Sequence, residues 1–144
     1  MATYKGIYKP INPQKYRGDP TNIVMRSSWE TKFAIWCDTN PAVIKWNSEE
    51  TVIPYVSPVD NKAHRYFVDF LVTLINKEGK KETLLIEIKP KLQSTITERQ
   101  SQRDRAQVAI NYAKWDAATK WCKQQGLTFR VINEDQIFHQ GGKK

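Results

Sequence analysis

The stretch "HRYFVDFLVTLINKEGKKETLLIEIKPK" (residues 64–91) decides the fold. Two apolar runs flank the polar turn "NKEGKK", where Gly79 supplies turn freedom, so the segment reads as a β-hairpin. Charge interrupts both runs. Asp69 sits between Val68 and Phe70; Glu87 sits between Ile86 and Ile88, with Lys89 beyond. Side chains alternate along a strand, so Glu87 and Lys89 share a face, about 7 Å apart, with Leu85 beside them. Leu84, Ile86 and Ile88 then form an apolar layer on the other face. Antiparallel pairing brings Asp69 of the partner strand close to Glu87.

The elements around the hairpin follow from periodicity and breakers. "RSSWETKFAIWCDTNP" (26–41) is a helix: Ser27 or Ser28 caps it, and Trp29, Phe33, Trp36 and Cys37 make one apolar face. Pro41 closes it. "AVIKW" (42–46) and "TVIPY" (51–55) are short strands. Pro90 ends the second hairpin strand, and a polar connection leads to a long helix from about Arg103 to Gln125. Its apolar stripe is Ala106, Ile110, Ala113, Ala117 and Trp121, with Gly126 as the stop. "LTFRVI" (127–132) is a buried strand. A helix between two strands implies a crossover and some parallel pairing. The expected architecture is α/β: a mixed central β-sheet flanked by helices on opposite faces, in the order α-β-β-β-β-α-β. Residues 1–25, broken by Pro10, Pro13 and Pro20, read as an extended N-terminal arm. Its lysines and tyrosines either follow a phosphate backbone or pack on the body. Residues 26–139 make one domain, and 140–144 a flexible tail.

A chain of 144 residues with 40% hydrophobic content and five tryptophans can bury a real core as a single domain. No apolar run approaches a membrane span, and the N-terminus lacks the apolar core of a signal peptide, so a soluble, cytoplasmic protein is expected. Cys37 and Cys122 are the only cysteines, too few for a zinc site, and read as small buried hydrophobes. A net charge of +8 favours a polyanionic partner, nucleic acid foremost.

Two carboxylates in one apolar setting repel and raise each other's pKa unless something neutralises them. A hard divalent cation does this, and carboxylate oxygens with waters and phosphate are what Mg²⁺ prefers. Asp69 and Glu87 are the candidate ligands, with the backbone carbonyl of Ile88 as a further one. Lys89 is placed to hold a water or a phosphate oxygen. Glu30, in the first turn of the first helix, is available as a further acid before the sheet, or simply complements the helix dipole. The rival reading of the E-x-K set is a solvated hairpin face with ordinary cross-strand pairs. Arg26, His64, Arg65, Lys91 and Arg103 are candidate DNA contacts; for the strand-start and helix-start members, a solvated charge is the alternative.

Glu30, Asp69, Glu87 and Lys89, in this order and context, resemble the PD-(D/E)xK metal-dependent nuclease superfamily, which has the restriction-endonuclease fold. The acid-bearing first helix is similar to that of Holliday-junction resolvases and transposon-end nucleases. The stretches "YRGDP", "RSSWE", "HRYFVDF", "IEIKPK" and "AKWDAATKWC" to "GLTFRVINED" look like the head-completion nucleases of T4-like bacteriophages, over about residues 4 to 137. The resemblance implies phosphodiester hydrolysis on DNA with Mg²⁺, or Mn²⁺ as its substitute, and Glu30, Asp69, Glu87 and Lys89 as catalytic residues. It also implies action in the host cytoplasm during head completion, with portal or head proteins as further partners and a homodimer as one arrangement. Two other readings are a structural head-completion protein on a nuclease fold and a junction or transposon-end nuclease. Val68 stands where the superfamily often has proline. Gln107 is followed at the Q-x-x-x-Y spacing by Asn111, with Tyr112 one residue late, so Gln107 reads either as a phosphate-orienting group or as a surface polar residue.

Overall fold

The computed structural model describes residues 6–90, 101–133 and 135. Eight strands and two long helices follow one another as β1 (Gly6–Tyr8), β2 (Ile23–Met25), α1 (Ser28–Thr39), β3 (Val43–Ser48), β4 (Val52–Val56), β5 (Ala63–Phe67), β6 (Phe70–Ile75), β7 (Lys81–Ile88), α2 (Gln102–Gln125) and β8 (Thr128–Ile132). The central sheet runs β3-β6-β7-β8. β3, β6 and β7 are antiparallel neighbours, whereas β8 joins β7 in parallel after the α2 crossover. This is the mixed sheet that the helix-between-strands order demands, and it fits the restriction-endonuclease fold.

The two faces of β7 sort its residues as strand alternation requires. Ile86 and Ile88, with half-buried Leu84, pack on the α1 side with Phe33, Ala34, Cys37, Trp46 and Phe70. Leu85 packs on the α2 side with Ile53, Tyr66, Val68, Ala118 and Cys122. Glu87 follows Leu85 onto the α2 side, at the strand's buried end. Both cysteines are free and buried. The seam of α2 is offset from the expected stripe. Its buried residues are Val108, Asn111, Ala118 and Cys122, while Ala106, Ile110, Ala113, Ala117 and Trp121 flank them half-buried. Asn111 carries the seam through one polar position, which apolar periodicity alone passes over. Gly126 ends α2 at φ 75°, the left-handed conformation that glycine adopts without penalty.

Two expectations are corrected. The run "HRYFVDFLVTL" is two strands, because the chain turns a corner at Val68–Asp69. β5 pairs with β4 in a separate two-stranded ribbon, and only β6 pairs with β3 and β7. The facing segment bends at the same level: Glu49, at φ 58°, separates β3 from β4. Two backbone bonds pin the corner, Glu49 N–H to the Asp69 carbonyl and Val68 N–H to the Thr51 carbonyl, both 3.1 Å. A proline at position 68 would lack that second donor.

The second correction concerns residues 6–25, expected as an extended arm. They form the β1-β2 ribbon and a 3₁₀ turn at Pro13–Lys15. Tyr16, Ile23 and Met25 are buried in the α1-side core. Tyr16 packs edge-on to Trp46 at 4.8 Å between centroids. Asp38, fully buried on α1, accepts bonds from the backbone N–H groups of Ile11 and Asn12 and from the Tyr8 hydroxyl. Lys91 and the 140–144 tail lie outside the described residues. Among the described residues, no helix is long and apolar enough to cross a membrane.

Candidate active site at the sheet corner

The corner at Asp69 creates the site. In the β6-β7 register Phe70 faces Ile86, so an unbroken ladder would set Asp69 against Glu87. The chain instead departs toward β5, and the Ile88 N–H loses a ladder partner. The Asp69 carboxylate supplies it, accepting that N–H at 2.8 Å. Asp69 is thus buried at the end of the sheet with Glu87 as its neighbour. Its carboxyl is pushed well above the usual range, first by burial, then by the Glu87 charge; the Ile88 N–H opposes this, Glu30 adds to it, and Arg26 opposes it.

Glu87 is 6% exposed. The Tyr66 hydroxyl donates to its Oε1 at 2.7 Å, and the Lys89 Nζ lies 3.4 Å from its Oε2. Burial, and then the Glu87 charge, raise the Tyr66 pKa far above that of a free phenol, so Tyr66 stays a donor.

Glu30 arrives from the other face of the sheet. Ser27 caps α1, its hydroxyl accepting the Glu30 N–H at 3.2 Å, and the Glu30 Oε1 in turn accepts the Arg26 backbone N–H at 3.0 Å. This near-reciprocal cap fixes the first turn with the Glu30 carboxylate aimed at the sheet end. Glu30 thus sits in the first turn of α1, where its charge complements the helix dipole, and its carboxylate lines the cleft.

The Arg26 guanidinium joins the acids. One of its terminal nitrogens lies 2.9 Å from Glu30 and 3.1 Å from Asp69; the other pairs with Glu49. Sequence reasoning offered Arg26 as a DNA contact, and here it neutralises carboxylates. Among the described residues no group of three His, Cys, Asp or Glu closes on a point able to hold a metal ion. The acids converge on the Arg26 guanidinium, the Tyr66 hydroxyl and the Lys89 ammonium instead.

These residues line an open, polar cleft of about 440 Å³ together with Arg65, Phe67, Ile88 and Lys114. Its four carboxylates, Glu30, Glu49, Asp69 and Glu87, are matched by four cations, Arg26, Arg65, Lys89 and Lys114. Two of the proposed DNA contacts stand apart. His64 faces out of the β4-β5 ribbon and pairs with Asp60 at 2.9 Å, and Arg103 is exposed in the first turn of α2. Gln107 donates to the Oδ1 of buried Asn111 at 3.2 Å. Sequence reasoning missed Glu49, Tyr66 and Lys114. Nothing local marked any of the three: Tyr66 stands three residues before Asp69, so strand alternation alone would put the two on opposite faces, and only the corner brings them to one site.

A family model described as "TnsA-like endonuclease N terminal" matches residues 40–134, a span that holds Asp69, Glu87 and Lys89. The chain belongs to the TnsA-like endonuclease family. It is also 35% identical to the "Head completion nuclease" of Enterobacteria phage T4, over 97% of each chain. The TnsA-like match begins after α1, so Glu30 and Arg26 lie outside it, whereas Glu49, Tyr66 and Lys114 lie within. In this TnsA-like chain the acids and the E-x-K lysine meet at one sheet end, and membership in the family makes the chain a nuclease.

Proposed function

We propose that this protein is a Mg²⁺-dependent DNA endonuclease that hydrolyses phosphodiester bonds during phage head completion, after packaging. The observation that carries the reading is the buried, mutually repelling pair of Asp69 and Glu87 in an open polar cleft beside Lys89. The full-length similarity to a phage head completion nuclease supports the biological setting.

The donor chemistry suits a hard divalent cation, carboxylate oxygens with the Ile88 backbone alongside, but Arg26 must first release Asp69 and Glu30, which it pairs with here. Asp69 and Glu87 would hold it, with Glu30 as a third acid once Arg26 turns aside, and Mn²⁺ would substitute for Mg²⁺. Bound there, the ion would neutralise the carboxylates, polarise a phosphate and lower the pKa of water. Arg26 is partly exposed, so it can swing from the acids to a DNA phosphate. Lys89 would orient the attacking water and stabilise the charge that develops on phosphorus. Tyr66 fixes the Glu87 carboxylate by its hydrogen bond. Arg65, at the cleft mouth, is suited to bidentate phosphate contact.

The test is nicking of supercoiled plasmid with Mg²⁺, with Mn²⁺ and with EDTA. Cutting is expected with either metal and none with the chelator. Asp69→Ala and Glu87→Ala should abolish it; variants that cut like the parent overturn the site assignment. Inert parent protein whose acid variants still complete heads would select a structural role instead. Comparing linear, forked and four-way DNA separates end processing from junction resolution.

A further inference from the structure

Lys114 enters the cleft from α2, the only cleft cation on that helix. Its Nζ lies 5.4 Å from the Tyr66 ring centroid and 5.8 Å from that of Tyr55, so two aromatic faces hold the half-buried side chain in place. The other cleft cations near the acids have partners. Arg26 pairs with Glu30, Glu49 and Asp69, and Lys89 pairs with Glu87. Among the described residues no carboxylate or carbonyl hydrogen-bonds to the Lys114 ammonium; its close contacts are the two rings, while the charges of Glu87 and Asp69 attract it and that of Lys89 repels it. A preorganised, partly desolvated ammonium with its donors free, facing a polar cleft, suits an anion from outside.

We propose that Lys114 binds a backbone phosphate of the DNA strand being cut, as a positioning residue opposite Lys89. This deepens the nuclease reading and rests on it. Tyr66 then serves two groups: its hydroxyl orients Glu87 and its ring orients Lys114. Substrate register and the acidic site would be set by one side chain. A lysine that merely clamped the β4-β5 ribbon to α2 would use the same ring contacts, so the test must separate grip on phosphate from grip on the ribbon.

The experiment measures binding of a duplex oligonucleotide with Ca²⁺ in place of Mg²⁺, across a salt series, alongside cleavage and thermal unfolding. Lys114→Met keeps the length of the stem on the rings and removes the charge; Lys114→Gln is a second neutral variant; Lys114→Arg keeps the charge. Both neutral variants should bind about tenfold more weakly. They should also lose about one unit from the slope of log affinity against log salt. KM should rise more than kcat falls, and Lys114→Arg should restore most of the affinity. A lowered melting temperature with unchanged salt slope overturns the proposal and assigns Lys114 to the ribbon. Neutral variants matching a parent that cuts DNA overturn this inference alone; a parent that neither binds nor cuts DNA overturns both readings.

Discussion

The Asp69 carboxylate accepts the backbone N–H of Ile88 at 2.8 Å, where the β6-β7 ladder stops. A side chain thereby takes over a backbone bond, and the same bond fixes the carboxylate that we propose as a site acid. Asp69→Asn keeps an acceptor for that N–H and removes a disfavoured charge; Asp69→Ala keeps neither. We expect Asp69→Ala to lose about 1–3 kcal/mol for the orphaned donor, and Asp69→Asn to be near neutral or more stable. Both should lose activity by more than about a hundredfold. Urea unfolding and the nicking assay measure the two effects separately; equal stability of the two variants would contradict the bond's structural role.

The raised pKa of Asp69 gives stability a definite pH slope. The folded state holds this proton more tightly than the unfolded chain. The contribution is complete below the unfolded value, near pH 4, and is lost as pH rises through the folded value. The parent should therefore weaken relative to Asp69→Asn as pH climbs from about 4 toward neutrality. Divalent-ion affinity should run oppositely, rising with pH, because the ion competes with the proton. Unfolding curves and Mn²⁺ titrations at several pH values check both signs.

Tyr66→Phe removes only the hydroxyl that donates to Glu87 at 2.7 Å. The ring, 3% exposed, keeps its packing. Loss of a partner that orients a ligand typically weakens metal binding about 10- to 100-fold. The activity of Tyr66→Phe should thus need correspondingly more Mg²⁺ and recover at saturation. Unchanged Mg²⁺ dependence would show that Glu87 does not rely on this hydroxyl.

Arg26→Ala leaves Glu30, Glu49 and Asp69 without their shared cation. Melting temperature should fall in EDTA, and added Mg²⁺ should recover more of it than the same ion adds to the parent, since a ligand stabilises the state it binds. Differential scanning fluorimetry with and without Mg²⁺ reads this directly. Equal Mg²⁺ shifts in both proteins would mean that guanidinium and ion do not share the acids.

Phe70, the residue after Asp69, anchors the corner from beneath. Its ring lies 4.8 Å from Phe33 and 6.1 Å from Trp46. Phe70→Ala should cost about 3–5 kcal/mol. Chemical denaturation measures it, and a loss under about 1 kcal/mol would show that the corner collapses without cost.

Much of this was legible in the residues. The 3.6 period of Trp29, Phe33 and Cys37, the cap at Ser27, the stop at Gly126 and the alternation Leu85-x-Glu87-x-Lys89 are local signals, and the elements they mark, α1, α2 and β7, formed where they were expected. Alternation also put Glu87 on the opposite face from Ile86 and Ile88. The corner was not legible. "YFVDF" has strand propensity throughout, and nothing within it says that the ladder partner changes from β4 to β3 between Phe67 and Phe70. Nor did the polar seam position Asn111 announce itself, nor the burial of Ile23 and Met25; the burial of Tyr16 was one of two readings that the arm left open.

The sequence by itself determined α1, α2 and β7, the two faces of β7, and the placing of Asp69 and the E-x-K residues within apolar runs, because capping, periodicity and alternation act over a few residues. Only the tertiary structure decided which groups share the cleft. Arg26, Glu49, Tyr66 and Lys114 come from four separate elements or bends, and their meeting depends on how the sheet ends and how α2 crosses it. Electrostatic pairing reaches only a few ångströms, so charges distant along the chain acquire meaning once packing has brought them together.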